Sequence, residues 1–577
     1  MKRRIAIIGG GPSGLFLYKR LVEAGDTNIE IEIFESGTTL GSGMPYSSAG
    51  ANNEHITNVS DNETPDLVIS ISKWLHTVPI ELLQRFDVDL TKFNEYKVVP
   101  RLLFGYYLSA QFEMLLQKAK NIAINTEVHF KSKVLDIHYD LENESVWIYT
   151  KNNKVKFDEV VICTGHFWPS RLEGKYKGCF DSPYPPKKLQ LELDHAVAIK
   201  GASLTAIDAV RTLARKNGVF AKDSCGNITY KLNEQSQNFK LIMHSRGGFL
   251  PAVRFHLDDS HLSNSSLLTA AQIIEHRKTN DGFLSLDYLF QKDFKDIFIK
   301  KDPDFYQKIK HLSIEEFVDE MMELRLRLDP FLLLKAEYAE AEKSIKRHES
   351  VYWKEMLAVL SFAMNHPAKH FSAEDMQRLQ KVLMPLISII IAFVPQKSCV
   401  ELMALHDAGI LSLISVGQDS YIEPQKDGII YHFTDEDGVS HSDYHKTFID
   451  CVGQPHLSFD DFPFESLKKQ KIISPAQLRF HNPDTGAKGI IDGSSEIESD
   501  NQGNYFLKVS GISINDNFQI LDKYGAYNEH IYIMAIPYIG GFNPDYSGLD
   551  FCEATSLKIV KSIFQRDFTV DKHSATE

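Results

Sequence analysis

The sequence has no closely spaced pair of cysteines. Its six, at 163, 179, 225, 399, 451 and 552, form neither a CxxC motif nor a zinc-ligand spacing. That disfavours dithiol redox chemistry, leaves no metal expected, and predicts free thiols in a reducing, cytoplasmic setting. Long hydrophobic runs are also missing. After Lys2, Arg3 and Arg4 the apolar run ends at Ile8, too short for a signal peptide. The stretch from Val382 to Val394 is broken by Pro385 and falls short of the roughly 20 residues that span a bilayer. Basic charge is scarce, with 63 Lys and Arg against 77 Asp and Glu and a net charge of −14. Such a field suits neither nucleic acid nor an anionic membrane, so a small-molecule partner is expected. No solenoid repeat or low-complexity tract interrupts the 577 residues, a length for roughly four domains. The composition, 43% apolar and 24% charged, is that of a globular protein with sizeable cores.

The first 35 residues read as strand, turn, helix and strand. Ile5 to Ile8 is a short buried-strand run, Gly9-Gly10-Gly11-Pro12-Ser13-Gly14 follows, Leu15 to Ala24 has a helical apolar face, Gly25 stops it, and Ile29 to Phe34 alternates up to Glu35. A strand at Val160-Val161-Ile162-Cys163 runs into Thr164-Gly165-His166, and then the pattern restarts. Ala196 to Lys200 is a strand, Gly201 to Ala206 a tight turn, Ile207 to Leu213 a helix, and Leu241 to His244 a strand ending in Ser245-Arg246-Gly247-Gly248. The chain thus holds two dinucleotide-fold beginnings. From 256 to 394 glycine thins out and Lys, Glu and Leu dominate. Ser313 with Glu316 makes a capping box, Ser372 with Asp375 marks another helix start, and Phe317, Met321, Leu324 and Leu328 are expected in a core. Alternating segments return at Ile429 to Phe433, Thr447 to Cys451 and Ile531 to Ile536.

Gly9, Gly11 and Gly14 fit GxGxxG spacing, and each meets a separate need, respectively the sharp turn, backbone approach to a pyrophosphate, and close packing of helix on strand. The free amides of the helix that begins near Pro12 and Ser13 attract phosphates. Glu35 ends the second strand 21 residues after Gly14, where an acid would bind the ribose hydroxyls of an adenosine. In the second turn Gly201 keeps its place, while Ser203 and Ala206 replace the later glycines and Thr205 lies between them. Ser245 and Arg246 follow the next strand, where the 2′-phosphate of NADPH would meet a serine and a guanidinium, so NADPH is expected over NADH. Thr164-Gly165 is a turn that lets a chain pass close to a dinucleotide. Gly548 precedes a helix from Leu549 whose N-terminal end would face the ring of a flavin.

These blocks, with Gly41-Ser42-Gly43-Met44-Pro45-Tyr46, Asn58-Val59, Pro100-Arg101, Phe104 to Leu108, Leu204 to Asp208 and Ser245 to Pro251 in the same order, resemble the two-dinucleotide-domain FAD/NAD(P)-binding proteins. That family includes FAD-dependent urate hydroxylases and aspartate N-monooxygenases. The resemblance covers about 1 to 255 and 395 to 577, leaving the helical segment unmatched. It implies an α/β fold of two Rossmann-like, glutathione-reductase-type domains with a helical insertion. FAD would lie on Gly9, Gly11, Gly14 and Glu35, with the 41 to 46 loop, Gly43 included, and Asn58 near the flavin, and NAD(P)H on the second domain. The expected division is FAD domain 1–180, NAD(P) domain 181–255, helical insertion 256–394, NAD(P) domain 395–428 and FAD domain 429–577.

The activity expected is that of an NADPH-dependent flavin monooxygenase, using dioxygen through a flavin C4a-(hydro)peroxide to hydroxylate a small polar substrate, an amino acid amine or a heterocycle. A flavin reductase or dehydrogenase, or a redox-sensing flavoprotein, is the competing reading. Arg101 is the candidate for binding a substrate or cofactor anion, and His166 and Tyr46 for proton transfer or lining the flavin. Against these stand blander assignments: Arg101 paired with an acid, His166 capping a strand end, Tyr46 in the core. Asp208 is a weaker candidate.

Overall fold

The structure, a computed structural model, describes residues 2–258, 267–454, 456–544 and 548–565. Two mainly parallel sheets organise it. The first runs Gln519–Leu521, Tyr527–Ile533, Glu159–Ile162, Arg3–Ile8, Ile29–Phe34, Asn125–His129, with only Gln519–Leu521 antiparallel. The second, all parallel, runs Cys179–Phe180, Thr447–Asp450, Ala196–Lys200, Lys240–Ser245, Leu411–Ser415. Parallel strands are covered on both faces, which is why Ile5 to Ile8 and Val197 to Ile199 are continuous apolar runs and are buried along their length. Helix Pro12–Ala24 packs the first sheet against the last helix, Leu549–Gln565.

The two sheets are built alike. Each unit opens with strand, turn and helix leading to a parallel strand, with a hairpin, Gly218–Lys222 and Ile228–Leu232, between helix and strand in the second. Each then has an insertion and a helix, Arg101–Asn121 or Gln396–Asp407, before its next parallel strand. Each carries a three-stranded antiparallel meander, Val134–Asp140, Ser145–Thr150 and Lys154–Phe157 in one and Tyr421–Gln425, Gly428–Thr434 and Ser440–His445 in the other. Each closes with a strand beside the first. Thr447–Asp450, expected in the returning FAD domain after 429, therefore lies in the second sheet, and the second unit runs on to Asp450. Its alternation resembles any buried parallel strand, and only pairing with Ala196–Lys200 tells the two sheets apart.

Between Ser245 and Gln396 the helical insertion folds into helices from Ala270 onward. The capping box at Ser313 and Glu316 forms in both directions, and Ser372 Oγ accepts from the Asp375 amide. Phe317 is buried as expected, but Leu324 is 59% exposed and Leu328 37%. The buried face of Ile314–Arg327 comprises Ile314, Phe317, Met322 and Arg325, leaving Leu324 off the stripe, and Leu328 is the extended residue that ends the helix.

Candidate functional site

One cavity of about 1260 Å³ opens at the C-terminal ends of the first sheet's strands, where open α/β sheets bind ligands. Of the residues expected to bind or act, Gly9, Gly11, Pro12, Ser13, Glu35, Gly43, Tyr46, Asn58, Thr164, Gly165, His166, Ser203 and Gly548 line it. Gly9 sits at φ +106°, and a Cβ there would lie 2.7 Å from the Cys163 carbonyl oxygen, so only glycine fits. A Cβ on Gly14 would lie 2.2 Å from the Gly9 oxygen. Gly14 accordingly packs helix on strand behind the wall without lining it. A Cβ on Gly11 would lie 3.3 Å from Gly43 Cα, so the bare backbones of Gly11 and Gly43 face one another. Gly11 caps helix Pro12–Ala24 with no side-chain hydrogen bond, leaving the first-turn amides to a ligand. Glu35 is held at the rim by the Gly10 amide at 2.9 Å and the Gly37 amide at 2.6 Å. Thr164 Oγ1 is buried on this wall without a protein partner. A glycine cradle, an uncapped helix start, a fixed acid and an orphaned hydroxyl fit a dinucleotide, with the pyrophosphate at the helix and the ribose at Glu35.

The second turn repeats the first. The Gly9 amide donates to the Phe34 carbonyl and the Gly201 amide to the His244 carbonyl. Gly201 has φ +109°, and its Cβ would lie 2.8 Å from the Cys451 oxygen, the counterpart of Gly9 and Cys163. Ser203 caps its helix without a side-chain bond, as Gly11 does, and Ala206 is fully buried in the place of Gly14. Thr205 lies beside Gly453. Gly201, Thr205, Ser245 and Arg246 do not line the large cavity; they gather at the strand ends of the second sheet, while Ser203 and Leu204 reach into it. Arg246 is exposed, with Nη1 3.5 Å from Gln418 Oε1, available to an incoming phosphate. Arg246→Ala should raise the KM for NADPH about 10- to 100-fold, the loss of one charge-assisted pair, and leave that for NADH nearly unchanged; steady-state kinetics with both nucleotides check it, and equal effects would remove the 2′-phosphate role.

The catalytic candidates separate. Arg101 does not line the cavity. Its Nη1 lies 2.6 Å from Asp208 Oδ2, which also accepts from Tyr184 Oη at 2.8 Å. Its expected role of holding a substrate or cofactor anion gives way to the acid pairing, because a buried guanidinium takes the nearest buried carboxylate. His166 lines the cavity beside Trp168, ring centroids 5.7 Å apart, and is itself solvent-exposed. Tyr46 packs on Phe104 at 4.9 Å, and burial pushes its hydroxyl up to about 12. The stretch before Gly548 includes residues 545–547, which lie outside the described residues; Gly548, Leu549 and Asp550 line the cavity.

Three parts of the wall carry little or no sequence signal. Phe462, Pro463 and Phe464 belong to no motif. Ala358, Ser388 and Ile391 to Phe393 come from the helical insertion. Glu63 lines the cavity and pairs with the 4%-exposed Arg254, which also donates to the Asn58 carbonyl and to Ser60 Oγ at 2.8 Å. A lone arginine within Leu250-Pro251-Ala252-Val253-Arg254-Phe255 was the one signal that could have found this group. Among the described residues one trio of metal-ligating side chains converges, Glu32, Glu127 and His129, and there Glu32 is already paired with Arg4. No helix among the described residues is long and apolar enough to cross a membrane.

Residues 6–167 match the FAD-NAD(P)-binding family model and residues 269–391 the YdhS-like middle domain. The chain is 28% identical over 477 residues to the uncharacterized protein YdhS of Escherichia coli (strain K12), covering 81% of this chain and 86% of that protein. Among solved structures, an ornithine N-hydroxylase of Kutzneria sp. 744 is 13% identical, with 98% and 100% of the two chains covered and a TM-score of 0.47. The bacillithiol disulfide reductase Bdr of Staphylococcus aureus is 12% identical, with 98% and 99% covered and a TM-score of 0.42. Likenesses this faint bear on no activity. The matches make residues 6–167 an FAD-NAD(P)-binding region and residues 269–391 a YdhS-like middle domain inserted in the second unit, with FAD and NADPH as cofactors.

Proposed function

We propose that the protein is an NADPH-dependent flavin monooxygenase that hydroxylates a small substrate. The observation that carries the reading is a single cavity lined by both helix starts, Gly11-Pro12-Ser13 of the first unit and Ser203-Leu204 of the second, so that two nucleotides meet in one space. FAD supplies hydride acceptance from NADPH and, once reduced, reaction with dioxygen. The chain supplies position and shelter. The Pro12–Ala24 helix start holds the pyrophosphate, Glu35 the ribose, and Thr164 Oγ1 offers its unpaired hydroxyl.

One observation disfavours a disulfide-reductase reading. Cys163 and Cys552 line the cavity, but burial raises Cys163 well above the ordinary thiol value and pushes Cys552 up to about 12, so neither offers the thiolate of a dithiol relay.

The test of function follows NADPH, oxygen and product together over a panel of amines, amino acids and purines. Oxygen consumed in step with NADPH, with one hydroxylated product each, supports the proposal. Substrate oxidation that persists without oxygen when another electron acceptor is supplied supports the dehydrogenase.

A further inference from the structure

The helical middle domain enters the second unit directly after Lys240–Ser245 and leaves it before Gln396–Asp407. In the first unit the equivalent place, between Ile29–Phe34 and Arg101–Asn121, holds the segment with Gly43 to Tyr46 and Asn58 to Glu63, which lines the cavity. Both insertions spring from the C-terminal end of a second strand, the edge where such sheets bind ligands. The middle domain's two ends are zipped together. The Ala252 amide donates to the Ile389 carbonyl, the Val394 amide to Ala252 and the Arg254 amide to Val394, each at 2.9 Å. Arg254 then clamps Asn58, Ser60 and Glu63 with its side chain, so the exit segment of the middle domain is fixed beside the Asn58 wall.

What that exit presents to the cavity is apolar. Ile391, Ala392 and Phe393 line it with Ala358, and Ser388, the remaining lining residue of the domain, donates its hydroxyl to the Met384 carbonyl at 2.7 Å. Phe393 is held at φ +49° in the left-handed region and its ring meets Phe255 edge-on at 5.4 Å. A bulky side chain keeps such a backbone only where its surroundings fix it, and such residues cluster at ligand sites. The cavity, about 1260 Å³, is larger than the roughly 300 to 1,000 Å³ of a single small-ligand site.

We infer that Ala358, Ile391, Ala392 and Phe393 form a subsite for an apolar limb of the substrate, so that the middle domain sets specificity. The inference rests on the flavin reading only in placing that limb beside the flavin. The subsite contains no unpaired polar group, so an aliphatic limb of a few carbons fits it and a charged one does not.

The test uses the FAD-loaded protein and the uncharged n-alkanols from ethanol to hexanol, read by perturbation of the flavin absorbance. Affinity should rise about fourfold per methylene, the increment for burying a CH₂. In Ala392→Trp, which fills the subsite, the increment should vanish while FAD content stays at the parent level; in Ile391→Ala it should extend to longer chains. No increment in the parent, or an increment untouched in both variants, overturns the subsite. The same series read by thermal shift on apoprotein tests the subsite without flavin, so a parent that holds no FAD would count against the flavin reading alone.

Discussion

Gly11→Val should give a folded, colourless protein. The Cβ position at Gly11 lies 3.3 Å from Gly43 Cα, closer than ordinary contact, so even a Cβ alone requires the Gly43 backbone to give by a few tenths of an ångström. The two methyls of valine reach further into the space between the facing glycine backbones, where the pyrophosphate belongs, and displace it from the uncapped amides of helix Pro12–Ala24. Two charge-assisted hydrogen bonds lost cost about 3–6 kcal/mol, or roughly 10²- to 10⁴-fold in FAD affinity. Gly14→Val should behave differently. Its Cβ would overlap the Gly9 carbonyl at 2.2 Å, so helix and strand must separate, and the loss should fall on folding itself. Flavin content and circular dichroism of the two variants separate a binding defect from a packing defect. Stoichiometric FAD in Gly11→Val would remove the phosphate-loop assignment.

The first 35 residues were legible because every signal in them is local. Gly9, Gly11 and Gly14 answer to backbone constraints set within one turn, and Ile29–Phe34 appears with the bounds its alternation predicts. The same holds for Ala196–Lys200 and for the cap at Ser313. Where the partner lies far along the chain, local signals fail. Thr447–Asp450 reads as a strand, but its sheet is decided by Ala196–Lys200, some 250 residues earlier. Arg101 reads as a candidate anion binder, but the acid it pairs with, Asp208, lies 107 residues further along the chain. Leu324 reads as core because apolar spacing shows a stripe without showing which side of it the neighbouring helices cover. The middle domain's part in the cavity was the least legible of all. Ile391, Ala392 and Phe393 look like the end of a buried helix, and only the pairing of Val394 with Ala252 and Arg254 turns them toward the dinucleotide space.

Asp208→Ala should destabilise the joint between the two dinucleotide units by about 3–5 kcal/mol, the cost of removing one partner of a buried pair. Arg101 comes from the first unit and Asp208 from the second, and the aspartate is 4% exposed. With it gone, the Arg101 guanidinium and the Tyr184 hydroxyl lose the carboxylate they share. His55 Nε2, 3.0 Å from Thr212 Oγ1 and 3.3 Å from the Asp208 carbonyl oxygen, stays in the joint, and its desolvation holds it below the ordinary histidine value. Burial alone would raise the Asp208 carboxyl, but Arg101, His55 and the Tyr184 hydrogen bond outweigh it and hold the group below its ordinary value. A carboxylate with a depressed folded value stabilises above its unfolded pKa, near 3.9, and loses that contribution as pH falls through the folded value. Urea unfolding should therefore show full strength from the joint at neutral pH, a first loss below about 6.5 as His55 protonates in the unfolded chain, and loss of the Asp208 share only below about 4. In Asp208→Ala that acid limb should flatten, with lower stability at pH 7. The double variant Arg101→Met with Asp208→Leu should recover most of the neutral-pH loss, since apolar groups of similar size replace a buried ion pair at little net cost. A double variant as unstable as Asp208→Ala alone would mean that the pair's charge, and not only its packing, holds the two units together.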